Sequence, residues 1–168
     1  MKRLHREWRH ATERRVAVIL DAVSTTFNVG GILRTSAALR VERVWFAAGA
    51  TPPSHPKVGR TALGAERYLS WSEVERTADA IAAAKAEGYT VVGIELASGA
   101  TPLHEVALGD ATCLVIGHED HGLNEATMAA CDAVAYIPQL GRVGSLNVAT
   151  ATAIALYEVR RKEWTAQL

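Results

Sequence analysis

Three short segments of the chain hold polar residues of catalytic type beside glycines and small residues. The first, residues 28–41, reads NVGGILRTSAALRV. As a helix it would put Ile32, Ser36 and Leu39 on one side and Arg34 on the other, flanked by Gly30, Gly31 and Ala38. Small neighbours let a ligand backbone approach the arginine, and the free N–H groups of a helix start favour an anion. A guanidinium so placed can grip a phosphate and stabilise a developing oxyanion. A solvated surface arginine fits the same segment. The second, residues 114–123, reads LVIGHEDHGL. An apolar run enters Gly117 and a charged turn closes at Gly122, so both glycines are expected to permit positive φ. Glu119 can accept hydrogen bonds from a hydroxyl or from nearby backbone, or the whole segment is an ordinary strand-to-helix turn. The third, residues 135–160, passes from Ile137 and Pro138 through a glycine-punctuated loop to Ser145, Leu146 and Asn147, which open a long helix. Ser145 is expected to cap it.

Strand-like and helix-like runs alternate around these segments. Strands are expected at 15–21, 43–48, 90–96, 112–117 and 133–138, each short, β-branched and almost continuously apolar. Helices are expected at 29–39, 71–87, 124–130 and 146–164. The last is apolar nearly all round, which predicts burial in the core or against a partner. This alternation predicts an α/β fold with a mostly parallel sheet and helices on both faces. Ligands then bind beyond the carboxyl ends of the strands, where the second and third segments begin. Residues 51–67, rich in Pro and Gly, are expected to form a surface loop with a helical turn, either a substrate-contacting loop or a plain connector.

Composition sets bounds. At 168 residues, 49% apolar and 21% charged, the chain is one globular domain by size and usage. No apolar run is long enough to cross a bilayer, and the basic start has no apolar stretch behind it, so no membrane span or secretory signal is expected. Cys113 and Cys131 form no CxxC pair, which predicts a reducing cytoplasm. Phosphate-loop and dinucleotide glycine motifs are absent. His118 and His121 stand three apart rather than at the spacing of a zinc-binding helix, so no metal is expected. Net charge is zero, yet Lys2, Arg3, Arg6, Arg9, Arg14 and Arg15 crowd the start, and Arg160, Arg161 and Lys162 stand near the end. Such clusters fit phosphate attraction or solvated helix faces.

In this order the three segments resemble the SpoU/TrmH family of the SPOUT methyltransferases, across nearly the whole chain. Asn28 and Arg34 match its first motif, Gly117, Glu119 and Gly122 its second, and Ile137-Pro138 followed by Ser145-Leu146-Asn147 its third. The resemblance implies a C-terminal deep trefoil knot, a homodimer, S-adenosyl-methionine as cofactor, and 2'-O-methylation of RNA. It implies catalytic roles for Arg34, Asn28, Glu119, Ser145 and Asn147. It places Ile94, Gly117, His118, Glu119, Gly122, Ile137, Gln139, Ser145 and Leu146 against the cofactor. Gln139 departs from the methionine frequent after the I-P pair, and His118 stands where small polar residues are common. With only a basic extension at 1–14 beyond a single domain at 15–168, a compact RNA such as tRNA is favoured over ribosomal RNA. The alternatives are a ribosomal or wobble-nucleotide ribose methyltransferase of the same superfamily, and a non-catalytic knotted RNA-binding module.

Overall fold

The computed structural model describes residues 12–165. The basic residues Lys2, Arg3, Arg6 and Arg9, and most of the expected 1–14 extension, lie outside them. Seven strands form one all-parallel sheet. They are β1 (Arg15–Asp21), β2 (Arg43–Ala47), β3 (Ser70–Val74), β4 (Thr90–Ile94), β5 (Thr101–Pro102), β6 (Ala111–Ile116) and β7 (Ala133–Tyr136), in the spatial order β3-β2-β1-β6-β4-β7-β5. The helices are α1 (Thr26–Ala38), α2 (Val58–Ala62), α3 (Thr77–Ala86), α4 (Glu125–Ala130) and α5 (Val148–Thr165).

Both faces of the sheet are covered, and the two-residue period of a strand shows it directly. On β1, Val16, Val18 and Leu20 enter a core shared with Ile32 and Leu33 of α1 and Leu156 and Val159 of α5. Ala17 and Ile19 point the other way, to a core with Ala80, Ile81 and Ala84 of α3. On β6, Leu114 and Ile116 take the first face, and Cys113 and Val115 the second. The α/β, parallel-sheet reading therefore holds.

Local readings need correction at several points. Residues 71–87 are not one helix: the segment starts as edge strand β3 and becomes helical only at Thr77. None of the five β3 residues is buried, so the apolar signature of a covered strand is missing. The tiny strand β5 carries no signal at two residues. The 51–67 loop holds α2 and leads into a 3₁₀ turn at Ala65–Tyr68. Helix α5 starts at Val148 rather than Leu146; within the single chain Ala155, Leu156 and Val159 are core, and Ile154 and Tyr157 are exposed.

The C-terminal basic cluster is also not a phosphate patch. Arg160 is 2% exposed and donates to the carbonyls of Leu39, Arg40 and Arg14 and to Glu163 Oε2. Its guanidinium thus satisfies carbonyls left open where α1 ends. Arg161 pairs with Glu158, and Lys162 donates to the carbonyls of Leu103 and Val106.

Candidate active site

Register brings three loops together. Ile94 pairs with Ile116 across β4–β6 and with Ala135 across β4–β7, so these strands end side by side. The turns that follow Ile94, Ile116 and Tyr136 enclose a pocket of about 280 Å³, near the lower edge of the roughly 300–1,000 Å³ usual for small-molecule sites. Ile94, Ile116, Ile137 and Leu146 give it apolar walls, and His118, Gln139 and Ser145 add polar groups.

The turn at 117–122 has its shape because of its two glycines. Gly122 sits at φ 62°, and an added Cβ would fall 2.0 Å from Glu95 Oε2. Gly117 does not have positive φ, contrary to expectation. It is required by close approach: its Cβ would lie 2.4 Å from the Gly122 carbonyl carbon. The turn closes with Gly122 N–H donating to the His118 carbonyl at 2.9 Å, and the His118 and His121 rings stack at 4.9 Å.

A hydrogen-bonded chain then joins all three motif segments. Glu119 accepts from the backbone N–H of Ser24 (3.2 Å) and Thr25 (2.9 Å) and from Asn28 Nδ2 (3.1 Å). Asn28 Oδ1 accepts from Asn147 Nδ2 at 2.9 Å, and Asn147 Oδ1 accepts from the N–H groups of Ala149 and Thr150. Asn147, rather than Ser145, therefore caps α5, and Ser145 is exposed at the pocket rim. The α1 start does attract an anion, as helix starts do, but the anion is Glu119. Partial burial alone would raise the pKa of that carboxyl. The hydrogen bonds from Asn28, Thr25 and Ser24, with its own backbone N–H, overcome this and hold it at about 2.

All nine residues expected against the cofactor line this one pocket. Of those expected to be catalytic, Glu119 and Ser145 line it, while Asn28 and Asn147 stand behind it in the hydrogen-bonded chain. Arg34 is elsewhere. It is exposed, has no hydrogen-bond or ion-pair partner among the described residues, and lines a separate groove between α1 and the 62–68 turn. Sequence reasoning missed Glu95, whose Oε2 accepts from Leu123 N–H at 2.8 Å and braces the glycine turn. Its signal was a lone carboxylate directly after the apolar run of β4. It also missed that Gln139 Oε1 is buried on the pocket wall with no partner among the described residues.

The model of the SpoU rRNA methylase family matches residues 15–157. The chain belongs to the SpoU rRNA methylase family. It is 33% identical over 144 residues to a 23S rRNA (guanosine-2'-O-)-methyltransferase of Acinetobacter baylyi, covering 85% of this chain and 58% of that one. It is 31% identical over 155 residues to the tRNA (guanosine(18)-2'-O)-methyltransferase of Escherichia coli, covering 90% and 65%. The chain thus spans less than two thirds of either relative. Among solved structures, an AdoMet-bound rRNA methyltransferase of Sinorhizobium meliloti superposes with a TM-score of 0.83 at 31% identity, over 89% of this chain and 57% of that one. The family match runs from the first residue of β1 well into α5, so it includes all three loops of the pocket and the whole Glu119–Asn28–Asn147 chain.

Proposed function

We propose that this SpoU-family chain is an S-adenosyl-methionine-dependent RNA 2'-O-ribose methyltransferase acting on tRNA. The observation that carries the reading is the pocket at the ends of β4, β6 and β7, where every residue the family resemblance assigns to the cofactor converges. The pocket suits that cofactor chemically. Apolar Ile94, Ile137 and Leu146 can enclose a purine, and Gln139 Oε1 is an acceptor in want of a donor. An unpartnered buried acceptor costs about 1–3 kcal/mol, which a ligand amine or hydroxyl would restore. When bound, S-adenosyl-methionine supplies an electrophilic methyl carbon.

The rest falls to residues of the chain. The 117–122 turn, pinned by Glu95 and Glu119, fixes one wall of the pocket. Arg34 holds the phosphate next to the reacting ribose and stabilises the oxyanion that forms as the 2'-hydroxyl loses its proton. Arg34 is not the base, since its pKa exceeds about 12. Nor is Glu119, whose pKa of about 2 and three N–H donors leave it little basicity at neutral pH. A substrate phosphate oxygen or water takes the proton.

The same reading includes a homodimer, supported by exposed Phe27 on α1, Leu140 and Val143 in the 137–147 loop, and Ile154 and Tyr157 on α5. It includes a deep trefoil knot, supported by the path of the chain: after β7 it lines the pocket and then packs as α5 on α1 and β6, across β4 from where it left. Stretching the protein from residues 90 and 165 would test the knot, because a tightened knot stops short of the ~3.3–3.6 Å per residue of a free chain. Residues 15–168 act as one domain, with 1–14 as a basic extension, in the cytoplasm; no helix among the described residues is long and apolar enough to cross a membrane. For tRNA in particular, the support is the Escherichia coli relative, together with a solved structure concerned with 2-OH methylation of C/U34 on tRNA. That structure is 27% identical with a TM-score of 0.79, and 93% of this chain covers 99% of it.

The test is methylation by the purified chain of bulk tRNA and of ribosomal RNA from a strain lacking its gene, with methylated nucleosides mapped by mass spectrometry. Calorimetry with S-adenosyl-homocysteine runs beside it. Methylated ribosomal RNA with untouched tRNA would overturn the substrate assignment. Absence of binding heat would leave a non-catalytic RNA-binding module. Arg34→Ala should lose on the order of 10²–10³ in rate with cofactor affinity kept, and Arg34→Lys should recover little, lacking the planar two-point grip. Turnover of Arg34→Ala within about threefold of the parent would remove Arg34 from the chemistry.

A further inference from the structure

A second concavity of about 1,170 Å³ lies between the C-terminal half of α1 and the turn that follows α2. Exposed Arg34 lines it together with Arg14, Arg15, Arg40 and the buried Arg160; Arg15 pairs with Glu42 at 2.7 Å, and Arg14 donates to the Leu108 carbonyl. Two large side chains stand at the opposite wall in water: Tyr68, 79% exposed, and Leu63, 66% exposed.

Their presentation is enforced by the backbone. Leu63 holds φ 53° and Gly64 φ 81°, two left-handed residues in succession. Leu63 is the left-handed cap that ends α2, its N–H donating to the Gly59 carbonyl at 3.0 Å. The helix before the turn lies close against α1. Gly30 of α1 lets α2 approach so closely that an added Cβ would lie 2.5 Å from Thr61 Cβ and 3.0 Å from the Ala62 nitrogen. The platform is therefore fixed to the same helix that carries Arg34.

We propose that this groove is a stacking subsite for an unpaired nucleobase of the RNA substrate, with Tyr68 as the platform, Leu63 beside it, and Arg34 holding the flanking phosphate. An exposed aromatic ring beside an unpartnered arginine is what single-stranded nucleic acid uses: stacking on the ring and charge along the backbone. The phosphate held by Arg34 then belongs to a nucleotide next to the stacked one. The inference rests on the RNA-methyltransferase reading for the name of the ligand, but its test does not need the cofactor.

The experiment is fluorescence anisotropy of a labelled single-stranded RNA 12-mer, and of a double-stranded RNA of equal length, at several salt concentrations without cofactor. The full chain is compared with Tyr68→Ala, Tyr68→Phe and Tyr68→Trp. Tyr68→Ala should weaken single-strand binding roughly 5- to 140-fold, the range of one aromatic–base stack. It should leave duplex binding and the salt slope unchanged, because no phosphate contact is lost. Phe and Trp should bind like Tyr, and in methylation assays Tyr68→Ala should raise KM while kcat holds. Equal binding of the parent and Tyr68→Ala, equal loss on both RNAs, or no binding of single strands by the parent would each overturn the proposal. So would dissociation of a dimer by Tyr68→Ala in sedimentation, which would assign the patch to a subunit contact. Loss of S-adenosyl-homocysteine binding heat in the parent would instead defeat the methyltransferase reading and leave the stacking result standing.

Discussion

Glu119 offers the sharpest quantitative test, because its role is electrostatic and its partners are known. A carboxyl held at about 2 in the folded chain against 4.5 when free favours the native state in its charged form. At about 1.4 kcal/mol per pH unit this amounts to some 3 kcal/mol. The side chain is only partly buried, and solvent screening brings the expectation nearer ~2 kcal/mol. Glu119→Gln keeps an oxygen for Thr25 and Asn28 but presents an N–H₂ to the Ser24 donor, and it removes the charge from the start of α1. Urea denaturation at pH 7 should therefore show Glu119→Gln less stable by ~2 kcal/mol. The sign with pH follows from a lowered pKa: the stabilisation is complete above about pH 5 and disappears as pH falls toward 2. The two proteins should converge in acid. The substitution should also weaken S-adenosyl-homocysteine binding, since it loosens the 117–122 turn. Equal stability at pH 7, or a gap at pH 3 as large as that at pH 7, would refute the electrostatic account. Unchanged cofactor affinity with lost turnover would return Glu119 to proton transfer.

Two substitutions probe its neighbours. Asn147→Ala removes the cap of α5 and the bond to Asn28, and should cost about 1–2 kcal/mol. Combined with Glu119→Gln it should be non-additive by at least ~0.5 kcal/mol in denaturation, because both act through Asn28. Gln139→Met deletes the unpartnered buried oxygen and should stabilise the free protein by about 1 kcal/mol, read as a melting-temperature rise of roughly 2–4 °C. It should weaken S-adenosyl-homocysteine in calorimetry. A lower melting temperature would show that Gln139 is already satisfied.

What the sequence revealed and what it hid have physical causes. Strands covered on both faces announced themselves as apolar runs, as in RVAVILD, and the glycine turn declared its own place at the end of β6. Edge strand β3 has no fully buried residue, so Ser70–Val74 ran into the following helix. Helix α5 starts after its expected position because the residue that caps it is settled by a tertiary bond from Asn147 to Asn28, 119 positions away. Charge patterning misled most. Arg160 looked like part of a basic surface, whereas it is a buried bracket for the end of α1. Sequence gives the sign of a charge but not the carbonyls that surround it.

The separation of Arg34 from the pocket follows from the helix that carries it. Asn28, anchored to Glu119 and Asn147, fixes how α1 is rotated. Six residues further on, a side chain lies about 9 Å along the axis and about 120° away around it. Arg34 thus faces the groove and leaves its own pocket without a cation. If the proposed dimer completes the site, Arg34 must act on the pocket of the partner subunit. Gly144 supplies the complementary lesion. It lines the pocket, and no atom lies within 4 Å of an added Cβ, so Gly144→Phe should block the pocket without a backbone collision. Each variant alone should be nearly inactive. Co-expressed in equal amounts, half of the dimers would be mixed, each with one intact site, and about a quarter of parental activity should return. No recovery in dimers shown to be mixed would place Arg34 in the site of its own chain.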